Sequence, residues 1–314
     1  MNALIEVKNT ANNSIATQAF EANLLNDFFE FLDVSEKTRS TYQRSLRQIF
    51  KFFTTNSVKN PSRDDLLNFK KSLEANGRKP ATIGLYLASA RRFFSWTEQK
   101  GIYPNIAEDI KAPKQERGHK RDFFGASQLK NIMSDIDRNT LEGKRNFAIM
   151  TLMITGGLRT IEIIRANIED LRTLGDCTVL YVQGKGRKDR TEFVKIPAPV
   201  LKAINDYLSA RGTVEDTAPL FASVSKRNKG SRLTTRTISG VCKRAMITAG
   251  YNSSKFTAHS LRHSAVTLSI MAGASIQEAQ AFARHANIAT TTIYAHTVDR
   301  INSMCEQSIS DAIF

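Results

Sequence analysis

Apolar residues recur every three to four positions through the first third of the chain, which predicts a bundle of amphipathic helices. Ser35 is placed to cap one helix, and Ser62, after Pro61 and with Asp65 in the capping-box position, is placed to cap a second. A third starts near Pro80. The inward-facing residues of these helices are Tyr42, Leu46, Ile49, Phe50, Phe53, Leu66, Phe69, Leu73, Ile83, Leu87, Ala90 and Phe94. We predict a polar tail over residues 1–20 and a helical domain over residues 21–110.

The rest of the chain has a mixed pattern. Helical periodicity around 126–137 and 146–154 is followed by two β-rich runs, 178–182 and 191–196, that flank a Gly- and Lys-rich turn. Helical patterns resume near Val200. Residues 111–122 combine Pro, Gly and dense charge, which predicts a linker before a second domain over 123–314. The fold class predicted is mostly α with a small β-sheet, α+β.

The charge of the chain points to a polyanionic partner. Its 314 residues carry 45 Lys and Arg against 30 Asp and Glu, a net charge of +15. No apolar run is long enough for a membrane span, no secretory signal pattern is visible, and the three cysteines form no CxxC pair. Without an amphipathic membrane-binding pattern, nucleic acid is the favoured partner, and we expect a cytoplasmic protein that binds no membrane.

Basic residues cluster on several predicted elements, where they could contact DNA phosphates or form a solvated surface. We expect the following to bind DNA: Arg44, Arg47 and Lys51 on one helix, Arg91 and Arg92 on another, Arg187, Lys188 and Arg190 at the turn, and Arg232 and Arg236 in a later basic segment. The sequence contains no phosphate-binding GxxxxGK[ST] loop and no HExxH motif, so we expect neither a cofactor nor a metal ion.

Three segments carry candidate chemistry, and each also has a purely structural interpretation. In Gly156-Gly-Leu-Arg-Thr-Ile-Glu162, Arg159 opens a helix and Glu162, one turn later, can orient it, or the two form a buried ion pair. In His259-Ser-Leu-Arg262, the two side chains share a helix face and can bind one anion together, or they belong to a charged stripe on the surface. In the segment 283–296, His285 precedes Tyr294 by nine residues, and that tyrosine could equally serve packing.

Taken in order with the basic turn Gly184-Lys-Gly-Arg-Lys-Asp-Arg190, these segments resemble the tyrosine recombinase (phage integrase) family, in its two-domain Xer-like form, over roughly residues 20–305. The resemblance implies a helical DNA-binding bundle followed by a catalytic domain. It implies a catalytic set of Arg159, Lys185, His259, Arg262, His285 and Tyr294, with Glu162 in support. The chain departs from the family at Ala283-Arg284-His285, where many relatives carry Leu-Gly-His, and we expect Arg284 to alter how His285 is presented.

The family chemistry is metal- and ATP-independent. Tyr294 would attack a phosphodiester and form a 3′-phosphotyrosyl link, with His259 as proton acceptor and the two arginines stabilising the charged transition state. Lys185 would give a proton to the leaving 5′-oxygen. The resemblance also implies double-stranded DNA with specific recombination sites as substrate, and a homo-tetramer on DNA or a hetero-oligomer with a related recombinase. Integration or excision of a mobile element and resolution of dimers both remain open roles.

The tail after Tyr294 has apolar residues near helical spacing, Ile301, Met304, Ile309 and Phe314. It would form an exchange helix that docks on a neighbouring protomer, or it would pack on its own domain.

Two other functions stay open for the whole chain. A type IB topoisomerase would use the same chemistry to relax DNA of any sequence. A non-catalytic DNA-binding protein would explain the charge and never cleave.

Overall fold

The computed structural model describes residues 22–114, 122–184 and 189–314. The chain forms two compact units, Met1–Arg117 and Gly118–Phe314, each of which is described by itself below. The predicted tail 1–20, most of the predicted linker 111–122, and Lys185, Arg187 and Lys188 lie outside the described residues. The domain boundaries 21–110 and 123–314 stay a prediction.

The described part of the first unit consists of four helices, α1 (Ala22–Phe31), α2 (Glu36–Thr55), α3 (Arg63–Ala75) and α4 (Pro80–Gln99). Their starts follow from the sequence. The Ser35 hydroxyl accepts the Thr38 N–H at the start of α2, and Ser62 and Asp65 form a complete capping box at the start of α3. Pro80 occupies the first turn of α4, where the missing N–H costs nothing.

The core of the first unit is built from aromatic rings in tilted and edge-to-face contact. Phe93 makes edge-to-face contacts with Phe28 and Phe50, with ring centres 5.2 and 5.4 Å apart, and its ring lies 6.0 Å from that of Trp96. Such tilted contacts suit the quadrupoles of the rings. The predicted inward residues of α2, α3 and α4 are buried, except Tyr42, which is half-buried.

The second unit contains nine helices among its described residues and one small sheet. Its helices are α5 (Ala126–Ser134), α6 (Leu141–Gly156), α7 (Thr160–Arg165), α8 (Ala198–Arg211), α9 (Thr235–Thr248), α10 (Ala258–Met271), α11 (Ile276–Ala283), α12 (Ala289–Asn302) and α13 (Cys305–Ile313). A single 3-10 turn, Ile168–Asp170, leads into the sheet.

The sheet has three antiparallel strands in sequential order, β1 (Leu171–Leu174), β2 (Cys177–Val182) and β3 (Glu192–Lys195). Leu180 of β2 is paired with Leu171 on one side and Val194 on the other. The strands β2 and β3 are antiparallel neighbours, and in the sequence they stand on either side of the Gly- and Lys-rich segment.

Helix α6 forms the centre of this unit, because it is buried on several faces and packs against both α8 and α10. A residue distant in sequence contacts helix α10 near its middle. The Phe124 N–H donates a hydrogen bond to the Ser264 hydroxyl at 2.7 Å. The Phe124 ring stacks on Phe256, with ring centres 4.2 Å apart. This anchoring matters for the site, because α10 carries His259 and Arg262.

The predicted fold class is confirmed, with the helical first unit, the β2–β3 hairpin and the helices that follow it all present. Two elements were not predicted. Helix α1 lies directly after the tail, and β1 is only four residues long with mostly exposed side chains, so it carries little hydrophobic signal. No helix among the described residues has both the length and the apolar character needed to cross a bilayer.

Candidate active site

Arg159 is placed at the start of α7 by a sharp turn after α6. It is the N-cap residue of α7, and Glu162 in the next turn accepts both its backbone N–H, at 2.9 Å, and its Nη1, at 2.7 Å. Glu162 is fully buried, whereas the Arg159 side chain keeps 26% of its surface exposed. The predicted Arg–Glu pairing is therefore present, and the guanidinium retains a solvent-facing edge that an anion can approach.

The turn itself requires glycine at residue 157. Gly157 has a φ of +56°, and a Cβ there would lie 3.1 Å from the Phe282 ring. Its carbonyl accepts hydrogen bonds from the side chains of Arg262 and Arg284. The paired glycines thus let the backbone approach α11 closely and offer its carbonyls to two arginines.

Arg262 projects from α10 into the same region and is 1% exposed. Its guanidinium donates to the carbonyls of Gly157 and Ala283. Burial, with Arg159 and Arg284 close by, lowers the pKa of Arg262 to about 9, so it remains charged at neutral pH. Two arginines from different helices therefore converge where Gly157 meets the end of α11.

His285 follows the end of α11 and is oriented by α12. Its Nδ1 lies 2.9 Å from the hydroxyl of Thr291, which leaves Nε2 as the ring nitrogen available to a substrate. Burial and the charges of Arg262, Arg159 and Arg284 lower the pKa of His285 to about 4. The ring is neutral at pH 7 and can donate a hydrogen bond without adding charge.

Tyr294 lies on α12 and is 3% exposed, with its ring centre 6.0 Å from that of His285. Burial raises the pKa of its hydroxyl, while Arg262 and Arg159 act in the opposite direction. His263, one turn after His259 on α10, places its ring 5.1 Å from Tyr294 and 4.8 Å from His259. His259 is exposed and His263 is buried, so a short row of rings connects the tyrosine to the surface.

The structure therefore brings together five of the six predicted catalytic residues, and Glu162 with them; the sixth, Lys185, lies outside the described residues. Sequence reasoning assigned no role to one neighbour, His263, and for another, Arg284, expected only an effect on His285. His263 was visible only as the second histidine of an i,i+4 pair. Arg284, whose side chain is 4% exposed, pairs with Glu162 at 3.0 Å. The signal for Arg284 was the departure at Ala283-Arg284-His285.

The predicted DNA-binding residues of the first unit are on its surface. Arg44, Arg47 and Lys51 are exposed along one side of α2, and Arg91 and Arg92 are exposed on α4. A groove of about 610 Å³ runs past the two α4 arginines and is also lined by Tyr42 and Lys111. These positions are available to a polyanion, and their role in DNA binding stays a prediction.

Two predicted DNA contacts of the second unit are engaged within the protein. Arg190 donates to Asp170 at 2.7 Å, and Arg232 donates to the Ile164 carbonyl and to the Asn167 side chain, each at 2.6 Å. These contacts give both guanidiniums a structural role in holding the segment after α7. Arg236 is exposed, and no contact of Arg187 or Lys188 is described.

Two arginines, a neutral histidine and a tyrosine hydroxyl lie together in this site, and groups of these kinds are suited to bind one anion such as a phosphate. No group of three or more His, Cys, Asp or Glu suited to a metal ion occurs in the described segments.

Residues 122–300 match the family model described as "Phage integrase family". The chain belongs to the phage integrase family. Residues 25–101 match a second model, "Phage integrase, N-terminal SAM-like domain".

Members of this family from several organisms resemble the chain over most of its length. A tyrosine recombinase of Synechocystis sp. is 28% identical over 83% of this chain and 86% of its own. XerD of Oceanobacillus iheyensis is 28% identical over 89% of this chain and 96% of its own. XerC of Caldanaerobacter subterraneus is 33% identical over 68% of this chain and 58% of its own. The predicted family, tyrosine recombinase, is confirmed.

Solved structures of phage integrase family proteins share the fold. XerH bound to palindromic difH substrate, in a post-cleavage complex, superposes with a TM-score of 0.70 at 23% identity, covering 88% of this chain and 79% of that one. A lambda integrase tetramer bound to a Holliday junction gives 0.67 at 18% identity, covering 87% and 76%. Neither comparison favours DNA relaxation over recombination.

Proposed function

We propose that this chain is a site-specific DNA recombinase in which Tyr294 is the nucleophile. The observation that carries the proposal is the placement of Tyr294 beside His285, within the electrostatic reach of both Arg159 and Arg262. A tyrosine hydroxyl with a raised pKa is a poor nucleophile at neutral pH, so attack requires a base and a stabilised product charge. The site holds groups suited to both needs.

The proton of Tyr294 would leave through the histidines of α10. The His263 ring lies between those of Tyr294 and His259, and the exposed His259 is the proposed proton acceptor. As the phenolic oxygen bonds to phosphorus, negative charge gathers on the two non-bridging oxygens. Arg159 and Arg262 would pair with those oxygens, and neutral His285 would donate one further hydrogen bond.

The bond from phosphorus to the 5′-oxygen then breaks, which leaves a 3′-phosphotyrosyl link and a 5′-hydroxyl. From the family resemblance we assign the proton donated to that oxygen to Lys185. Attack by a second 5′-hydroxyl reverses these steps and rejoins the strands, and no metal ion or nucleotide takes part. Because the phosphodiester energy is kept in the link to Tyr294, exchange between two sites is close to thermoneutral.

We further propose that protomers assemble on double-stranded DNA as a tetramer, with the C-terminal helix as the connecting element. Helix α13 buries none of its residues, and the exposed apolar side chains on and around it include Ile301, Met304, Ile309, Ile313 and Phe314. This exposure supports docking on another protomer over packing within the unit. The lambda integrase tetramer on a Holliday junction offers a related precedent. A related recombinase as second subunit is the alternative partner.

The test begins with a search for the DNA site. The purified chain is incubated with a library of duplexes carrying randomised sequence, protein-linked DNA is recovered under denaturing conditions, and the enriched sequence is rebuilt as a duplex nicked beside the cleavage position. The wild-type chain should form a covalent adduct, and Tyr294→Phe should form none. Tyr251→Phe is the matched control, because Tyr251 packs against Phe124 and Phe256, and it should react normally.

Two outcomes would overturn the proposal. One is an adduct that survives Tyr294→Phe, since the nucleophile would then be elsewhere. The other is duplex binding with steep salt dependence and no adduct from any sequence, as a non-catalytic DNA-binding protein would give. Relaxation of a supercoiled plasmid that lacks the enriched sequence would instead identify a topoisomerase.

A further inference from the structure

Arg284 occupies a backbone conformation that normally selects glycine. It ends α11 with φ 52° and ψ 48°, in the left-handed region, and its N–H and that of His285 close the helix on the carbonyls of Ala281 and Gln280. A residue with a Cβ costs free energy there. The chain tolerates that cost at Arg284, so the side chain is expected to contribute something that glycine cannot.

That side chain turns inward rather than toward solvent. Its exposed fraction is 4%, and its donors reach the carbonyls of Phe282, at 2.7 Å, and Gly157, at 3.3 Å. The remaining strong contact is charged: Nη2 lies 3.0 Å from Oε2 of Glu162. A charged group is rarely buried without an ionic partner, and Glu162 is that partner.

Glu162 is consequently shared between two arginines. Its Oε1 accepts Nη1 of Arg159, while its Oε2 accepts both the Arg159 backbone N–H and Arg284. In a pair with Arg159 alone, the carboxylate would cancel the positive charge that a phosphate needs. With Arg284 as a second counter-charge, the group of Arg159, Glu162 and Arg284 keeps a net charge of +1.

Arg284 also holds Arg159 through its backbone. Nη2 of Arg159 donates to the Arg284 carbonyl at 3.2 Å, whereas the contact with the Glu162 carboxylate uses Nη1. Arg159 is therefore fixed at two nitrogens, one through the Arg284 carbonyl and one through the carboxylate that the Arg284 side chain neutralises. The remaining N–H groups of Arg159 are left for a ligand.

We propose that Arg284 is a positioning residue for strand cleavage, which neutralises Glu162 and fixes the Arg159 guanidinium toward the scissile phosphate. This inference rests on the proposed function. The terminal nitrogens of Arg284 already donate to Glu162 and to the carbonyls of Phe282 and Gly157, so we assign it an effect through Arg159 and no direct contact with DNA. Its removal should slow the chemical step and leave the affinity for the duplex unchanged.

The experiment measures single-turnover adduct formation on the nicked duplex over a range of protein concentrations. Arg284→Gly removes the guanidinium and restores the residue that the backbone favours. Because a misplaced catalytic arginine impairs the transition state, we expect the rate at saturation to fall by about 10- to 100-fold, with half-saturation unchanged within about twofold. Ser57→Gly is the control: it also replaces a positive-φ residue, at φ 55°, and should react at the wild-type rate.

A positioning role predicts two further results that a purely structural role does not. Guanidinium chloride at non-denaturing concentration should restore part of the rate to Arg284→Gly, and sodium chloride at equal ionic strength should not. In a Glu162→Gln background, Arg284→Gly should cost less than about threefold, because the carboxylate it neutralises is gone.

A rate for Arg284→Gly within twofold of wild type would overturn the inference, as would a reduced adduct yield at an unchanged rate, or an equal loss in the Glu162→Gln background. If the glycine variant does not fold, Arg284→Lys decides. Lysine keeps the charge and loses the planar fork, so a rate about 3- to 10-fold slower supports the inference and a wild-type rate contradicts it. A wild-type chain that forms no adduct would refute the proposed function instead.

Discussion

The two compact units differ in whether they bury positive charge. Among the described residues of the first unit, the buried polar side chains are Ser45, Ser89 and Thr97, and every Lys and Arg is at least partly exposed. The second unit buries Arg262 and Glu162 completely, and Arg284 almost completely. The candidate site of the second unit is thus built around buried charged side chains, which the described core of the first unit lacks.

This difference separates two tasks that positive charge can perform. Exposed side chains on α2 and α4 are hydrated and screened by salt, so each contributes a small, additive amount to the binding of a polyanion. Buried guanidiniums are fixed by backbone carbonyls and by Glu162, so their dipoles and charges need no reorganisation when a phosphate arrives. Binding and chemistry should therefore respond to different substitutions.

The largest effect should come from the aromatic core of the first unit. Phe93→Ala removes the ring that contacts Phe28, Phe50 and Phe94, and we expect a loss of about 3–5 kcal/mol in the free energy of unfolding. Urea unfolding followed by Trp96, the only tryptophan, reports on this unit. Leu85→Ala on the exposed side of α4 is the control, with a change below about 1 kcal/mol. An equal loss of unfolding free energy in both variants would show that the Phe93 ring contributes no more to stability than an exposed side chain.

Arg262→Lys should separate chemistry from binding in the second unit. Lysine keeps a charge but cannot donate to the carbonyls of Gly157 and Ala283 while facing a phosphate. Adduct formation should slow by about 10²- to 10³-fold, with duplex affinity nearly unchanged. Arg138→Lys, a surface arginine near Phe147, serves as the matched control. A rate within tenfold of wild type would mean that charge alone suffices at Arg262.

Arg44→Ala combined with Arg47→Ala should have the converse effect. Both side chains are exposed on α2, so their removal should weaken duplex binding and reduce the salt dependence of log K by about one for each phosphate that is no longer neutralised. The adduct rate at saturating DNA should stay at the wild-type value. Binding measured across a salt titration tests this, with Lys100→Ala, at the exposed end of α4, as the control. An unchanged salt slope would remove this face from the DNA-binding surface.

His285 should give the stability of the second unit a pH dependence. Its pKa is about 4 in the folded chain and about 6.5 in an unfolded one. Between these values only the unfolded state binds the proton, so stability should fall as pH drops from about 6.5 to 4. Thermal melting of wild type and His285→Gln over this range should show a shallower decline in the variant. His296→Gln, at an exposed position on α12, should retain the wild-type slope; a retained slope in both would contradict the prediction.

Local signals account for most of what the sequence could predict. The caps at Ser35 and Ser62 and the apolar stripes of α2, α3 and α4 depend on neighbours within four residues, and they are present as expected. Strand β1 escaped prediction because its pairing partner β2 defines it, not its own side chains.

For the site, too, some features were predictable from the sequence and others were not. Motif order identified residues that the fold brings together, from Arg159 to Tyr294, although they are far apart in sequence. The direction of a basic side chain was not predictable, because it depends on distant partners. Arg190 and Arg232 meet Asp170 and the carbonyl of Ile164, and Arg284 meets Glu162, more than 100 residues away.

The hydrogen bond from the Phe124 amide to Ser264 ties an early residue of the second unit to the middle of α10. Ser264 belongs to the same helix as Arg262, so this amide exchanges its hydrogen with solvent when the chain at Phe124 separates from α10. Deuterium uptake at Phe124 should therefore be slower than at amides without a buried partner. One amide would then report how often the chain at Phe124 separates from the helix that carries Arg262.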